Sequence, residues 1–292
     1  MKSPRLRLIA ALVLSSVMTL SAAAAPDAAA VRHPGKFAWV DLVTTDPDAA
    51  ISFYTKTFGW TTREVHGGRQ RYTFLLNNGQ PVAGVAYSPA ENNGRKTAGA
   101  RWVGSISVSD INAAAKAVAD AGGRVLIEPR QIEGRGMQAL VADPEGCIFG
   151  LIVRDGGDPA DDEVAENGWV WAQLLSGQPA TAIEFYRKSL GYQIDEDTRS
   201  KRADDYLLSR DGYSCAGLTP LPEGSGGRPG WLGYLRVADT GTTVEDAQAL
   251  GARVLFRQDE PDRLQVAILA DPLGGAIGIV SMPAPAEKEE TK

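Results

Sequence analysis

Hydrophobic positions along this chain follow two alternating periods. The run opening at Phe37 alternates as a half-buried strand does, and the spacing then lengthens so that Ala50, Phe53, Tyr54 and Phe58 form the apolar stripe of a short helix. Asp46 is placed to cap that helix and Pro47 fits its first position. The pattern returns after Trp102, where Asp110 caps a helix whose inner face is Ile111, Ala114, Ala115 and Val118 and which Gly122 ends. Strand-like runs follow the helices, among them Arg71 to Leu76, Pro81 to Tyr87, Arg124 to Glu128, Gln138 to Ala142 and Cys147 to Val153. The unit is therefore strand, helix, three strands.

That unit occurs four times, because the chain is a tandem duplication. FAWVDLVTTDPDAAISFYTKTFGW (Phe37 to Trp60) aligns without a gap to WVWAQLLSGQPATAIEFYRKSLGY (Trp169 to Tyr192). WVGSISVSDINAAAKAVADAGGRVL (Trp102 to Leu126) resembles WLGYLRVADTGTTVEDAQALGARVL (Trp231 to Leu255), and VADPEGCIFGLIV (Val141 to Val153) is echoed by LADPLGGAIGIVS (Leu269 to Ser281). The expected organisation is one domain over 35–154, an acidic linker over 155–167, a second domain over 168–282 and a solvated tail over 283–292. Asp143-Pro144 and Asp271-Pro272, each followed by Gly146 or Gly274, read as tight turns before a last strand.

Residues 1–24 stand apart. Lys2, Arg5 and Arg7, the apolar run Leu8 to Leu20 and the small residues Ser21 to Ala25 have the layout of a secretory signal peptide. Pro26 disfavours cleavage after Ala25, so the cut is expected after Ala24, with release into the periplasm or the medium. No later apolar run approaches the roughly 18 residues that span a bilayer. The 36 acidic residues exceed the 30 basic ones, an excess that grows once the leader is removed and that argues against nucleic acid as a partner. Two cysteines, Cys147 and Cys215, are too few for a disulfide scaffold; one bridge between them stays open, and two buried thiols are the expected state.

TTDPDAAISFYTKTFGW, GGRVLIEP and ADPEGCIFGLI together resemble the glyoxalase, bleomycin-resistance and extradiol-dioxygenase superfamily, the vicinal oxygen chelate proteins, over nearly the whole chain after the leader. The resemblance implies an α+β fold in which two βαβββ modules pair into an incomplete barrel of eight strands with a concave cleft, twice over. It also implies a metal held by a His or Gln on the first strand of each module and a Glu on the last. Counted back from the helix-capping residues, the first-strand positions fall on Trp39, Val103, Trp171 and Leu232, and the last-strand positions on Gly150 and Gly278. None is a metal ligand.

The inventory agrees. The chain holds two histidines, His33 before the first strand and His66 beside Gly67-Gly68, both expected at the solvated surface. No cofactor is expected, and a divalent metal only if those transferred positions mislead. Strand alternation places Trp39, Asp41 and Ser105 on the first cleft face and Trp171, Gln173 and Tyr234 on the second. Asp41 is the candidate catalytic acid or base, or the holder of a cationic ligand, with solvation at the cleft mouth or pairing to a nearby arginine as the alternatives. Three functions stay open: capture of a small aromatic or amphipathic molecule in a Trp-lined cleft, a lyase, isomerase or dioxygenase with a non-standard site, or an interaction module whose clefts are filled by packing. A homodimer, and exchange of modules between chains, also stay open.

Overall fold

The computed structural model describes residues 31–65, 71–89, 99–159, 164–198, 200, 204–222, 224, 227–259 and 264–281. The expected leader, the tail and His66 lie outside the described residues.

The first half contains β1 (Phe37–Thr44), α1 (Pro47–Phe58), β2 (Thr61–Val65), β3 (Tyr72–Asn77), β4 (Gln80–Tyr87), β5 (Ala100–Ser107), α2 (Ile111–Asp120), β6 (Arg124–Ile132), β7 (Gly136–Ala142) and β8 (Ile148–Arg154). The second repeats it with β9 (Trp169–Ser176), α3 (Pro179–Leu190), β10 (Gln193–Glu196), β11 (Tyr206–Arg210), β12 (Tyr213–Pro220), β13 (Gly230–Arg236), α4 (Thr240–Ala249), β14 (Arg253–Gln258), β15 (Gln265–Ala270) and β16 (Ala276–Ser281). Each half is one eight-stranded sheet, ordered β2-β3-β4-β1-β5-β8-β7-β6 and β10-β11-β12-β9-β13-β16-β15-β14. Modules therefore pair within the chain, first with second and third with fourth, and neither sheet closes.

Local chemistry sets the helix ends. Asp46 accepts from the Ala49 N–H at 3.1 Å and Asp110 from those of Asn112 and Ala113, while Gly59 and Gly191 end α1 and α3 in the left-handed region at φ 66° and 69°. Gln178 makes no capping bond, and Pro179 at the first position starts α3 without one.

The cores do not follow the repeat boundaries. Helix α1 packs on α4 and α2 on α3, so each core draws on both halves. One joins Leu42, Phe53 and Tyr54 to Leu235, Val244 and Ile279; the other joins Ile106, Val118 and Phe149 to Phe185, Leu208 and Leu218. Two buried triads stitch these cores. Tyr54 Oη donates to Asp271 Oδ2 at 2.9 Å and accepts from Trp102 Nε1 at 2.8 Å. Tyr186 Oη donates to Asp143 Oδ2 at 3.2 Å and accepts from Trp231 Nε1 at 2.9 Å. The two Asp-Pro turns thus carry a tyrosine hydroxyl from the opposite half. The linker is also tied down where it is described: Asp158 Oδ2 accepts from the His33 N–H and from Ser107 Oγ, and Trp60 Nε1 donates to the Asn167 carbonyl.

Candidate functional site

On the concave face of the first sheet, β1 supplies Trp39 and Asp41, β3 supplies Tyr72 and Phe74, and the turn between β6 and β7 supplies Arg135. Tyr72 Oη donates to Asp41 Oδ1 at 2.5 Å, and Arg135 Nη1 reaches Asp41 Oδ1 at 2.7 Å and Oδ2 at 2.8 Å. Trp39 Nε1 donates to Asp41 Oδ1 at 3.1 Å, and the Arg135 guanidinium lies 4.5 Å from the Tyr72 ring centre. The Arg135 and Asp41 side chains are only 13% and 15% exposed. Burial and the Asp41 charge raise the Tyr72 pKa, so the phenol stays a donor. The space left beside this cluster is about 80 Å³.

The second sheet is uncharged at the matching place. Trp171 Nε1 donates to Gln173 Oε1 at 2.8 Å, Gln173 Nε2 donates to Thr219 Oγ1 at 2.9 Å, and Thr219 Oγ1 donates to Asp205 Oδ1 at 2.7 Å. Tyr234 stands next in the row, its phenol pushed up to about 12, chiefly by burial and then by the Asp205 charge.

Register shows which side chain each strand glycine faces. Gly150 on β8 pairs with Ser105, not Val103, and Gly278 on β16 pairs with Tyr234, not Leu232. The corresponding glycines of the first and third modules pair with Asp41 and Gln173 rather than with Trp39 and Trp171. Each of these residues lies two positions along its strand, on the same face, from the position counted back from the helix cap. In this row, Asp41 faces Gly84, Ser105 faces Gly150, Gln173 faces Gly217 and Tyr234 faces Gly278. A methyl group on any of these four glycines would overlap the facing side chain, or in the first case the Tyr72 hydroxyl that Asp41 holds. The space of a last-strand carboxylate is thus taken by a neighbour. The row offers one carboxylate, both of whose oxygens are bound by a guanidinium, and no imidazole, a donor set that does not fit a divalent cation. Among the described residues no group of three or more His, Cys, Asp or Glu is placed to hold one.

A cavity of about 750 Å³ lies not on a concave face but between the two sheets. Its walls come in pairs from corresponding positions. Bulges early in β1 and β9 turn Phe37 and Trp169 towards the opposite half, where Phe37 lies 4.8 Å from the Trp231 ring and Trp169 lies 5.1 Å from the Trp102 ring. Gly104 and Gly233 leave room for these two rings. Val40 and Ala172, with Val82 and Cys215, complete the apolar lining. Trp39 and Trp171 reach it from their own faces, so of the six sequence candidates two touch the cavity while Asp41, Ser105, Gln173 and Tyr234 do not. His33 lines it half-buried, 5.6 Å from the Tyr213 ring, rather than standing in solvent. Cys147 and Cys215 are both thiols; burial raises the pKa of the first.

Four βαβββ modules, paired into two open sheets with concave faces, define a tandem vicinal oxygen chelate protein. The chain belongs to the Glyoxalase/Bleomycin resistance protein/Dioxygenase superfamily, whose profile matches residues 36–151, with a glyoxalase-like domain matching 171–280. It is 31% identical over 261 residues to the anthracycline biosynthesis protein DauV of Streptomyces sp. (strain C5), covering 85% of this chain and 94% of that protein. It is likewise 31% identical over 251 residues, with the same coverage, to the putative glyoxylase CFP32 of Mycobacterium tuberculosis (strain CDC 1551 / Oshkosh). Two solved structures share the fold at 16% identity. The Mn(II)-bound glyoxalase from Novosphingobium aromaticivorans has a TM-score of 0.56 over 86% of this chain and 83% of that one. The 2,2',3-trihydroxybiphenyl 1,2-dioxygenase from Sphingomonas wittichii strain RW1 has a TM-score of 0.58 over 89% and 94%.

Proposed function

We propose that this protein captures a small aromatic or amphipathic molecule without a metal, in the cavity between its sheets, after export and cleavage behind Ala24. The observation that carries this reading is the cavity's size and lining: about 750 Å³ walled by Phe37, Trp102, Trp169 and Trp231. Ligand sites occupy roughly 300–1,000 Å³ with mostly apolar walls, and aromatic side chains offer planar faces for stacking. The space beside the Asp41 cluster, about 80 Å³, is too small for such a ligand. An enzyme reading centres instead on Asp41 and Tyr72, and requires that turnover disappear in Asp41→Asn.

The neutral probe 2-naphthamide, followed by tryptophan fluorescence, tests the binding reading. Saturable quenching, with slower maleimide labelling of Cys215 on the cavity wall, is expected; no binding at the probe's solubility limit overturns it. Native mass spectrometry of protein from its own compartment checks the metal, since a stoichiometric ion would overturn metal independence. Terminal sequencing of the same material is expected to begin at Ala25.

A further inference from the structure

The walls of the cavity repeat with the duplication, but its charges do not. Arg32, Lys36 and Arg154 of the first half and Arg210 of the second line it, against one lining carboxylate, Asp211, in a chain whose formal charge is -6. In the duplicate, Val164 stands for Arg32 and Gly168 for Lys36, and in the matching hairpin Asn77 stands for Arg210. Arg32 and Lys36 stand in the segment leading into β1, and Arg210 and Arg154 reach that segment or the start of β1. Arg210 packs against Gly35, Lys36 Nζ donates to the Pro159 carbonyl at 2.9 Å, and Arg154 Nη1 donates to the Ala38 carbonyl at 3.2 Å. The opposite end is neutral, with Asn77, Asn78, Gln80, Val164 and Ala165.

Two of these cations are poorly neutralised. Arg32 Nη1 is buried with no hydrogen-bond partner among the described residues. Arg154 has no carboxylate within ion-pair distance there; its guanidinium lies 5.6 Å from the Trp39 ring centre, and burial lowers its pKa. Asp158 is the nearby counter-charge; its Oδ2 is engaged by the His33 N–H and Ser107 Oγ, while its buried Oδ1 has no hydrogen-bond partner among the described residues. Burying an arginine without an anion costs more than placing it in water, and a guanidinium fork matches a carboxylate.

We infer that the cavity binds an aromatic acid, its ring system between the tryptophans and its carboxylate at the end formed by Arg32 and Arg154. This inference rests on the binding reading above and adds the ligand's charge and its direction in the cavity. A ligand seated this way crosses from the first-half cations to the neutral end under the linker, so the two halves contribute unequally.

The test pairs 2-naphthoate with the neutral 2-naphthamide, both read by tryptophan fluorescence and Cys215 protection. The acid is expected to bind at least about ten-fold tighter at low salt, with an advantage that shrinks as salt rises. Arg154→Gln should remove most of that advantage and leave amide binding in place, and Arg32→Gln should reduce it. Asp158→Asn should strengthen acid binding by withdrawing the competing charge. Lys116→Gln, at an exposed cation on α2, should change nothing. If Arg154→Gln does not fold, Arg154→Lys and Arg32→Gln carry the comparison, the lysine keeping part of the preference. Equal affinity for acid and amide, or an advantage intact in every folded arginine variant, overturns the inference while the binding reading stands. Failure of both probes to bind overturns both.

Discussion

Asp41 holds its place by partnership: its carboxylate takes a guanidinium on both oxygens, a phenol and an indole N–H within 3.1 Å. Removing its charge leaves Arg135 nearly buried and unpaired, so Asp41→Asn is expected to lower unfolding free energy by about 2–4 kcal/mol in urea titration. Arg135→Gln in the same background should recover part of that loss. Alternation along β1 made the face of Asp41 legible in the sequence, and pairing with an arginine was one of its readings. The arginine itself was not legible, because it sits 94 residues away in a Gly-Arg-Gly turn whose composition signals only a turn. The four facing glycines were hidden differently: two were read as the ends of last strands, but only register shows that each makes room for a neighbouring side chain.

Elements show a similar division. The caps at Asp46 and Asp110, the stripe Ala50, Phe53, Tyr54 and Phe58, and the turns at Asp143 and Asp271 follow from local chemistry and appear where the pattern puts them. What local chemistry cannot say is which element a turn will meet. Asp271 meets Tyr54 of α1, 217 residues away, and burial raises the pKa of both turn aspartates above the usual value near 3.8. The folded state therefore binds protons there more readily than the unfolded chain, and these groups contribute more stability as pH falls towards that value. Compared by denaturant unfolding between pH 4 and 7, the parent should gain on Asp271→Asn as the pH is lowered; a constant difference would mean that the carboxylate keeps its ordinary pKa. Tyr54→Phe, which leaves Asp271 and Trp102 each one bond short, should cost about 1–3 kcal/mol.

Across the whole molecule, the repeat was legible and its consequence for packing was not. Periodicity identifies four modules and the faces they bury, but it treats each half as a unit with its own core. The helices instead pack α1 on α4 and α2 on α3, so both cores need both halves. A single calorimetric transition is expected, with the van't Hoff enthalpy matching the measured one; two separate transitions would show that the halves fold independently. The interface cavity was missed for the same reason, since its walls face away from the clefts that the repeat predicts.

The paired walls of that cavity are what an isologous dimer would build, in which every residue appears twice about a two-fold axis. In such a dimer an arginine gained at one end is gained at both, and a ligand meets the same chemistry whichever way it enters. Joining the copies in one chain lifts that constraint, since each gene half can change alone. Arg32 opposite Val164 and Lys36 opposite Gly168 are changes of this kind. An entrance with a head and a tail, able to tell one end of a molecule from the other, is open to a fused pair and closed to a symmetric one.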